Sequence, residues 1–225
     1  MLIAVMSVCL WFSGCGSQHD GKQNNNTDVA ELTIQNLRDY CVDEGGKNIY
    51  FITTENNTVY SYGLDGTKNG EYSISADDAY PMQFAVYGEE DSRSLSNLCL
   101  AGGKLYVYRE NKGTLTELDM ATGEQNVLAV RKDAMYVQKM AAGENTVMLL
   151  GYRGGETAAS LIDKMSGEEL TEPVENPAAV AVAEKDSYWI NTCENGQYCF
   201  RLYDAGTGEI SEAYDSNFTY GMSDI

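Results

Sequence analysis

Three kinds of side chain in this chain of 225 residues have the types that chemistry needs: six cysteines, one histidine and 34 carboxylates. The histidine is His19, in a polar stretch near the start. One imidazole there removes a Ser-His-Asp triad, a Cys-His pair and a multi-histidine metal site. The sequence holds no Gly-x-Ser-x-Gly elbow and no P-loop, and the pairs Gly45-Gly46, Gly102-Gly103 and Gly154-Gly155 read as turn glycines. Two carboxylates could serve glycoside hydrolysis, but the acidic residues fall mostly in turns, where solvation explains them. The clusters Asp77-Asp78 and Glu89-Glu90-Asp91 lack the alternating spacing of a calcium loop. Asp119, Asp163 and Asp204 recur at equivalent positions, which argues for a structural turn cap in place of a single site. No cofactor is implied.

The cysteines are more informative. Met1 to Phe12 is an uncharged apolar run, MLIAVMSVCLWF, of signal-peptide length and too short to span a bilayer. Phe12-Ser13-Gly14-Cys15 follows, and it resembles the bacterial lipobox, with Phe12 where leucine is usual. The resemblance implies a lipoprotein signal over residues 1–14 and cleavage between Gly14 and Cys15. It also implies a diacylglyceryl chain on the Cys15 thiol. The partner would be membrane lipid, with the rest of the chain on the extracytoplasmic side of the cell membrane. No Lys or Arg precedes the apolar run, so the natural start is expected upstream. Residues 15–28 then form the lipidated cysteine and a polar tether, GSQHDGKQNNNTD after Cys15, too polar to bury a core. No second apolar stretch of membrane-spanning length occurs.

Cys9 leaves with the signal, and Cys41, Cys99, Cys193 and Cys199 remain in a setting that permits disulfides. Cys193 and Cys199 flank Glu-Asn-Gly-Gln-Tyr. A two-residue Asn195-Gly196 turn sets them on opposite sheet faces, whereas a three-residue loop sets them across from each other. A disulfide and two free thiols both stay open, and no Cys-x-x-Cys pair supports a zinc or thioredoxin-like site. The net charge of −19 repels nucleic acid and anionic lipid alike, so acyl chains must hold the membrane.

The elements that would position these residues are strands. Tyr is frequent at 16, Gly stands at 22 and Pro is scarce at 3. Lys104 to Glu124, Asn145 to Glu168 and Ser187 to Glu209 align as strand, Gly-containing turn, strand ending near an Asp, then Thr/Ser-Gly-Glu. Their Gly-Glu pairs are spaced 44 and 41 residues apart. An earlier copy, Asn48 to Glu71, puts its Gly-Glu at Gly70, 53 residues before Gly123. The excess falls in residues 77–97, read as a loop or extra hairpin. The segments at Ala134 to Val137 and Ala178 to Ala183 are expected inner strands.

Four strands every ~40 to 45 residues match a propeller blade. Leu118-Asp119-Met120-Ala121-Thr122-Gly123-Glu124 resembles the turn of PQQ-like propeller repeats. Ile162 to Glu168 and Tyr203 to Glu209 repeat it. The resemblance implies an all-β fold over residues 29–225, a β-propeller of four-stranded antiparallel blades. The expected blades are 30–75, 80–130, 133–174 and 176–216, with a further one opening at 217–225, so the propeller is expected to be incomplete. The tryptophan that quinone-binding relatives carry past the Thr-Gly pair is missing, which favours the non-enzymatic relatives.

Tyr106, Tyr108, Tyr152 and Trp189 are the candidate ligand face, since rings stack on sugars and peptides. Tyr188, Tyr198 and Tyr203 also fall on expected strands. The expected function is a membrane-anchored binding or scaffolding module for a protein or glycan. The alternatives are a propeller-based carbohydrate-active enzyme and an envelope protein assembly factor.

Overall fold

The computed structural model of the protein describes residues 37–53, 57–74, 95–110, 113–130, 135–170, 177–194, 197–212 and 214–215. Among them every regular element is a strand. The first sheet is β1 (Leu37–Val42), β2 (Asn48–Thr53), β3 (Thr58–Gly63) and β4 (Lys68–Ser73), in that order. The second is β5 (Asn97–Ala101), β6 (Lys104–Arg109), β7 (Thr114–Asp119) and β8 (Gln125–Val130). The third has three strands, β9 (Tyr136–Ala142), β10 (Thr146–Arg153) and β11 (Glu156–Asp163). The fourth is β12 (Pro177–Glu184), β13 (Ser187–Glu194), β14 (Gln197–Asp204) and β15 (Tyr214–Asp215). All pairings are antiparallel. These are the blades of a propeller, and no helix of the described residues is long and apolar enough to cross a membrane.

Blades stack face to face because successive side chains of a strand point to opposite faces. On β6, Leu105 and Val107 pack with Tyr50, Ile52 and Val59 of the first blade. Their neighbours Tyr106 and Tyr108 pack with Val147 and Leu149 of the third. On β10 the other side chains, Met148 and Leu150, meet Tyr188 and Ile190 of the fourth. A blade covered on both sides loses its apolar-polar alternation, so β10 reads Val-Met-Leu-Leu without a break.

The first strand of each blade is innermost, since β1 packs beside β5, β5 beside β9 and β9 beside β12. Asp39 lies across from Ile52, Asn97 from Tyr108, Lys139 from Leu150 and Ala179 from Asn191, one equivalent level of the four blades. Side chains at this level stitch neighbours together. Asp39 Oδ2 accepts from the Leu98 amide at 2.9 Å, and Asn97 Nδ2 donates to the Gln138 carbonyl at 3.1 Å.

The recurring turns share one hydrogen-bond pattern. Asp119 Oδ1 accepts from the amides of Ala121 and Thr122, and Thr122 Oγ1 accepts from the Glu124 amide. Asp163 and Ser166 repeat this, as do Asp204 and Thr207. Each aspartate carbonyl then accepts from the glycine amide four residues on, at 2.8–2.9 Å. That wrap leaves Gly123, Gly167 and Gly208 at φ of 75°, 71° and 73°, where a side chain is strained. The first blade departs from the expected alignment. Its turn is one residue shorter, closed by Gly63 N–H to the Thr67 carbonyl and capped by Asp65, and Gly70-Glu71 lies inside β4.

Gly167 carries a second constraint, because a Cβ there would drive into the Leu128 carbonyl of the blade before, whereas one on Gly208 meets nothing within 4 Å. Gly208→Ala is therefore expected to cost about 1–2 kcal/mol, the price of a left-handed residue. Gly167→Ala should cost about 3 kcal/mol or more, because strain and overlap add. Urea midpoints at unchanged m value test the difference, and equal losses would contradict the interblade contact.

Candidate functional site

Asp39 adjoins Leu98 and Asn97 adjoins Gln138, so the inner strands run side by side in one direction and begin at one end of the molecule. The ends of β6 and β10 return there by antiparallel pairing. This end collects Arg38, Asp39, Asn97, Glu110, Tyr136, Lys139 and Tyr152.

Arg38 links two blades. Its Nε donates to the Ser96 carbonyl at 3.4 Å and its Nη2 lies 3.6 Å from Glu110 Oε2. Burial pushes the Glu110 carboxyl above the ordinary range, and Arg38 pulls it back only in part. Burial likewise raises Asp39, against the amides of Leu98 and Tyr40 and the cations Lys139 and Arg38. Two buried atoms here have no hydrogen-bond partner, Asn97 Oδ1 and Arg109 Nε. Arg109 is otherwise held by its Nη2 bond to the Ile74 carbonyl. At the rim, Tyr136 and Tyr152 pair across β9 and β10, 45% and 40% exposed, with ring centroids 6.4 Å apart and planes tilted by 36°.

The candidate ligand face is divided by the fold. Tyr152 belongs to this rim. Trp189 is 37% exposed but lies on the outward face of the fourth blade. Tyr106 and Tyr108 are core residues, not ligand contacts, because both faces of β6 are covered. The Tyr106 phenol donates to Glu117 Oε2 at 3.0 Å, and Lys164 Nζ sits 4.1 Å from its ring centroid. The Tyr108 phenol donates to the Met135 carbonyl at 3.4 Å. Tyr188 and Tyr203 are also buried. The residues that sequence reasoning missed, Arg38, Asp39, Asn97, Glu110, Tyr136 and Lys139, are joined by their level on neighbouring strands. Local spacing carries no such signal.

The Cys193–Cys199 disulfide is corrected as well. Glu194 pairs with Gln197, so two residues connect the strands, and Cys193 lies across from Tyr198 while Cys199 lies across from Thr192. Alternation then assigns positions 193 and 199 to opposite faces, and the Cys199 thiol is free. Cys41 and Cys99 are free too, and burial pushes both thiols up, Cys99 to about 12. These are unreactive thiols. Gly14 and Cys15, the acidic clusters at 77–78 and 89–91, and the Tyr198 side chain lie outside the described residues. Among the described residues no three ligand-type side chains gather as a metal site.

The turn carboxylates are committed to the backbone. Asp119 is held below the ordinary range by the Thr122 and Ala121 amides, and Asp163 by the Ser166 amide and hydroxyl. The cap motif is therefore architecture in the second, third and fourth blades.

No known family model matches the chain, and no curated protein matches it. Solved structures do. A streptogramin B lyase is 14% identical over 81% of this chain and 55% of its own, with a TM-score of 0.53. A putative TolB from Agrobacterium tumefaciens is 11% identical over 80% of this chain and 62% of its own, at 0.55. Kuenenia stuttgartiensis hydrazine synthase is 12% identical over 82% and 55%, at 0.53. The likeness is one of fold, and the chain spans little more than half the length of these structures.

The two classes of carboxyl should titrate apart. As pH falls, Asp39 and Glu110 take up protons first, above the ordinary range. The fold binds those protons more tightly than the unfolded chain, so this step favours folding. Asp119 and Asp163 have depressed values, so their contribution is full above the ordinary aspartate range and lost as pH falls through the folded ones. Carboxyl carbon shifts followed by NMR check the order, and caps protonating before Asp39 and Glu110 would refute it.

Proposed function

We propose that this chain is a lipid-anchored, extracytoplasmic binding module. It is acylated on Cys15, and the end of its propeller where the inner strands begin takes up a glycan or a protein. The observation that carries the reading is the exposed Tyr136–Tyr152 pair at the end of the propeller that also holds Arg38, Glu110 and Lys139. Tilted rings offer apolar faces to the C–H side of a sugar or to a peptide side chain, and the charged groups offer donors and acceptors to hydroxyls and amides. The lipobox supplies the anchor, and residues 16–28 the spacer. A non-catalytic role is supported by the turn aspartates, each of which has one carboxylate oxygen, Oδ1, committed to two backbone amides of its own turn.

One observation favours a second reading, a carbohydrate-active enzyme. Asp39 and Glu110 both have raised carboxyl values and both feel Arg38. A proton donor to a leaving oxygen needs a raised value of this kind.

The double variant Tyr136→Ala/Tyr152→Ala, screened on arrays of cell-wall glycans and envelope peptides, should weaken binding at least tenfold while the melting temperature holds. Unchanged binding would move the ligand elsewhere. Glycan hydrolysis abolished by Glu110→Gln would replace the binding role by the enzymatic one. Cys15→Ser should release the protein from the membrane pellet and end palmitate labelling, and retention in the pellet would remove the lipid anchor.

A further inference from the structure

The two ends of the propeller differ in charge. The inner strands begin at the end that carries Tyr136 and Tyr152. The turns between the first and second strands of each blade, and those between the third and fourth, therefore gather at the opposite end. The three capped turns there hold Asp119 and Glu124, Asp163 and Glu168, and Asp204 and Glu209. The turns of the first blade add Asp43, Glu44 and Asp65. The lysines described at this end, Lys47, Lys68, Lys104, Lys164 and Lys185, are fewer. Lys68 and Lys104 are each paired with a further carboxylate, Glu71 and Glu117. Backbone amides hold Asp119 and Asp163 below the ordinary range, so both stay charged in mildly acidic surroundings as well.

The end that carries the tyrosines has another character. Tyr136 and Tyr152 are exposed, and so are Arg38 and Lys139. Its carboxyls stand against cations: Arg38 Nη2 lies 3.6 Å from Glu110, and Lys139 and Arg38 both act on Asp39. Tyrosine rings with nearby cationic side chains are the set that settles at the headgroup level of a bilayer. β1 also begins here, so the chain that runs from Cys15 to Leu37 joins the folded domain at this end.

We infer that the end carrying Tyr136 and Tyr152 faces the headgroup layer of the membrane that holds Cys15, with the capped turns directed away from it. This rests on the anchored reading above and adds where the ligand is met, at the membrane surface. A leaflet rich in anionic lipid repels carboxylates brought within a Debye length, about 8 Å at physiological salt. A domain joined to the membrane at one end and repelled at the other has one favoured orientation. The turn aspartates then serve twice, closing their turns and setting which end meets the lipid.

The test holds the full chain after the signal on vesicles by a hexahistidine tag placed before residue 15, with Cys15→Ser and nickel-chelating lipid. Its outcome is then independent of whether cells acylate Cys15, which the pellet experiment decides separately. Cys193→Ser is included, and Cys41, Cys99 and Cys199 are sheltered thiols, so an added cysteine takes the fluorescent label. Ser73→Cys puts the label at the end of β4 on the tyrosine side, and Met165→Cys puts it on a capped turn at a position 91% exposed. Vesicles with about 30% phosphatidylglycerol and a nitroxide-headgroup lipid should quench the label at position 73 about threefold more than that at 165. Tyr136→Ala/Tyr152→Ala should lower the quenching at position 73, and vesicles of phosphatidylcholine alone should narrow the difference. Equal quenching at the two positions on anionic vesicles, or more at 165, would overturn the proposal. So would a difference that stays the same on phosphatidylcholine, since the carboxylates would then set no orientation.

Discussion

Everything in this molecule depends on covering two faces of every sheet. A four-stranded antiparallel sheet alone has one face too many for water, and the solution here is to let each blade be the lid of the last. The cost appears in the composition of β6 and β10, where Leu105 to Tyr108 and Val147 to Leu150 are apolar or aromatic and buried without a break. The polar exceptions are explained by the same packing. Lys164 donates to the carbonyls of Gly143 and Glu144 in its own blade and covers the Tyr106 ring of the second, trading hydration for two hydrogen bonds and a ring contact across the seam. Asp186 gathers the amides of Asn145 and Thr146 from the neighbouring blade. Sheets held only by apolar contact could slide, and these directional bonds set where each blade stops against the next.

Local chemistry governs the turns. An aspartate two residues before a free amide captures that amide and the next one, a hydroxyl captures a third, and glycine takes the left-handed residue that lets the strand return. The unit repeats in the second, third and fourth blades because it needs nothing from the rest of the protein. The first blade solves the problem one residue shorter, with Asp65 doing the capping.

This division explains how much was legible in the sequence. The blades and their caps could be read because Asp-x-x-Thr/Ser-Gly-Glu encodes its own geometry. The first copy was misaligned because Gly70-Glu71 is a pair of residues inside a strand, and a dipeptide cannot report whether a turn precedes it. Tyr106 and Tyr108 were misplaced because strand alternation tells which residues share a face and says nothing of what lies against that face. The end site was invisible for a related reason. Arg38, Glu110 and Tyr136 come from three strands of three blades, and only the parallel arrangement of the inner strands brings them to one end. The cysteine pair turned on a single residue of loop length, which the flanking polar sequence does not distinguish.

The common direction of the inner strands has a consequence for how such a chain can change over time. The connections from one blade to the next, and the hairpins between second and third strands, leave from the end that carries Arg38 and Tyr152. The capped turns leave from the other. Insertions are therefore expected to be tolerated on one side of the molecule and penalised on the other, and the chain leaves the first blade after Ile74 and enters the second at Leu95 on the tolerant side. Sequence can drift at that end while the glycine-and-aspartate end keeps the scaffold constant, so variation and stability are carried by different residues.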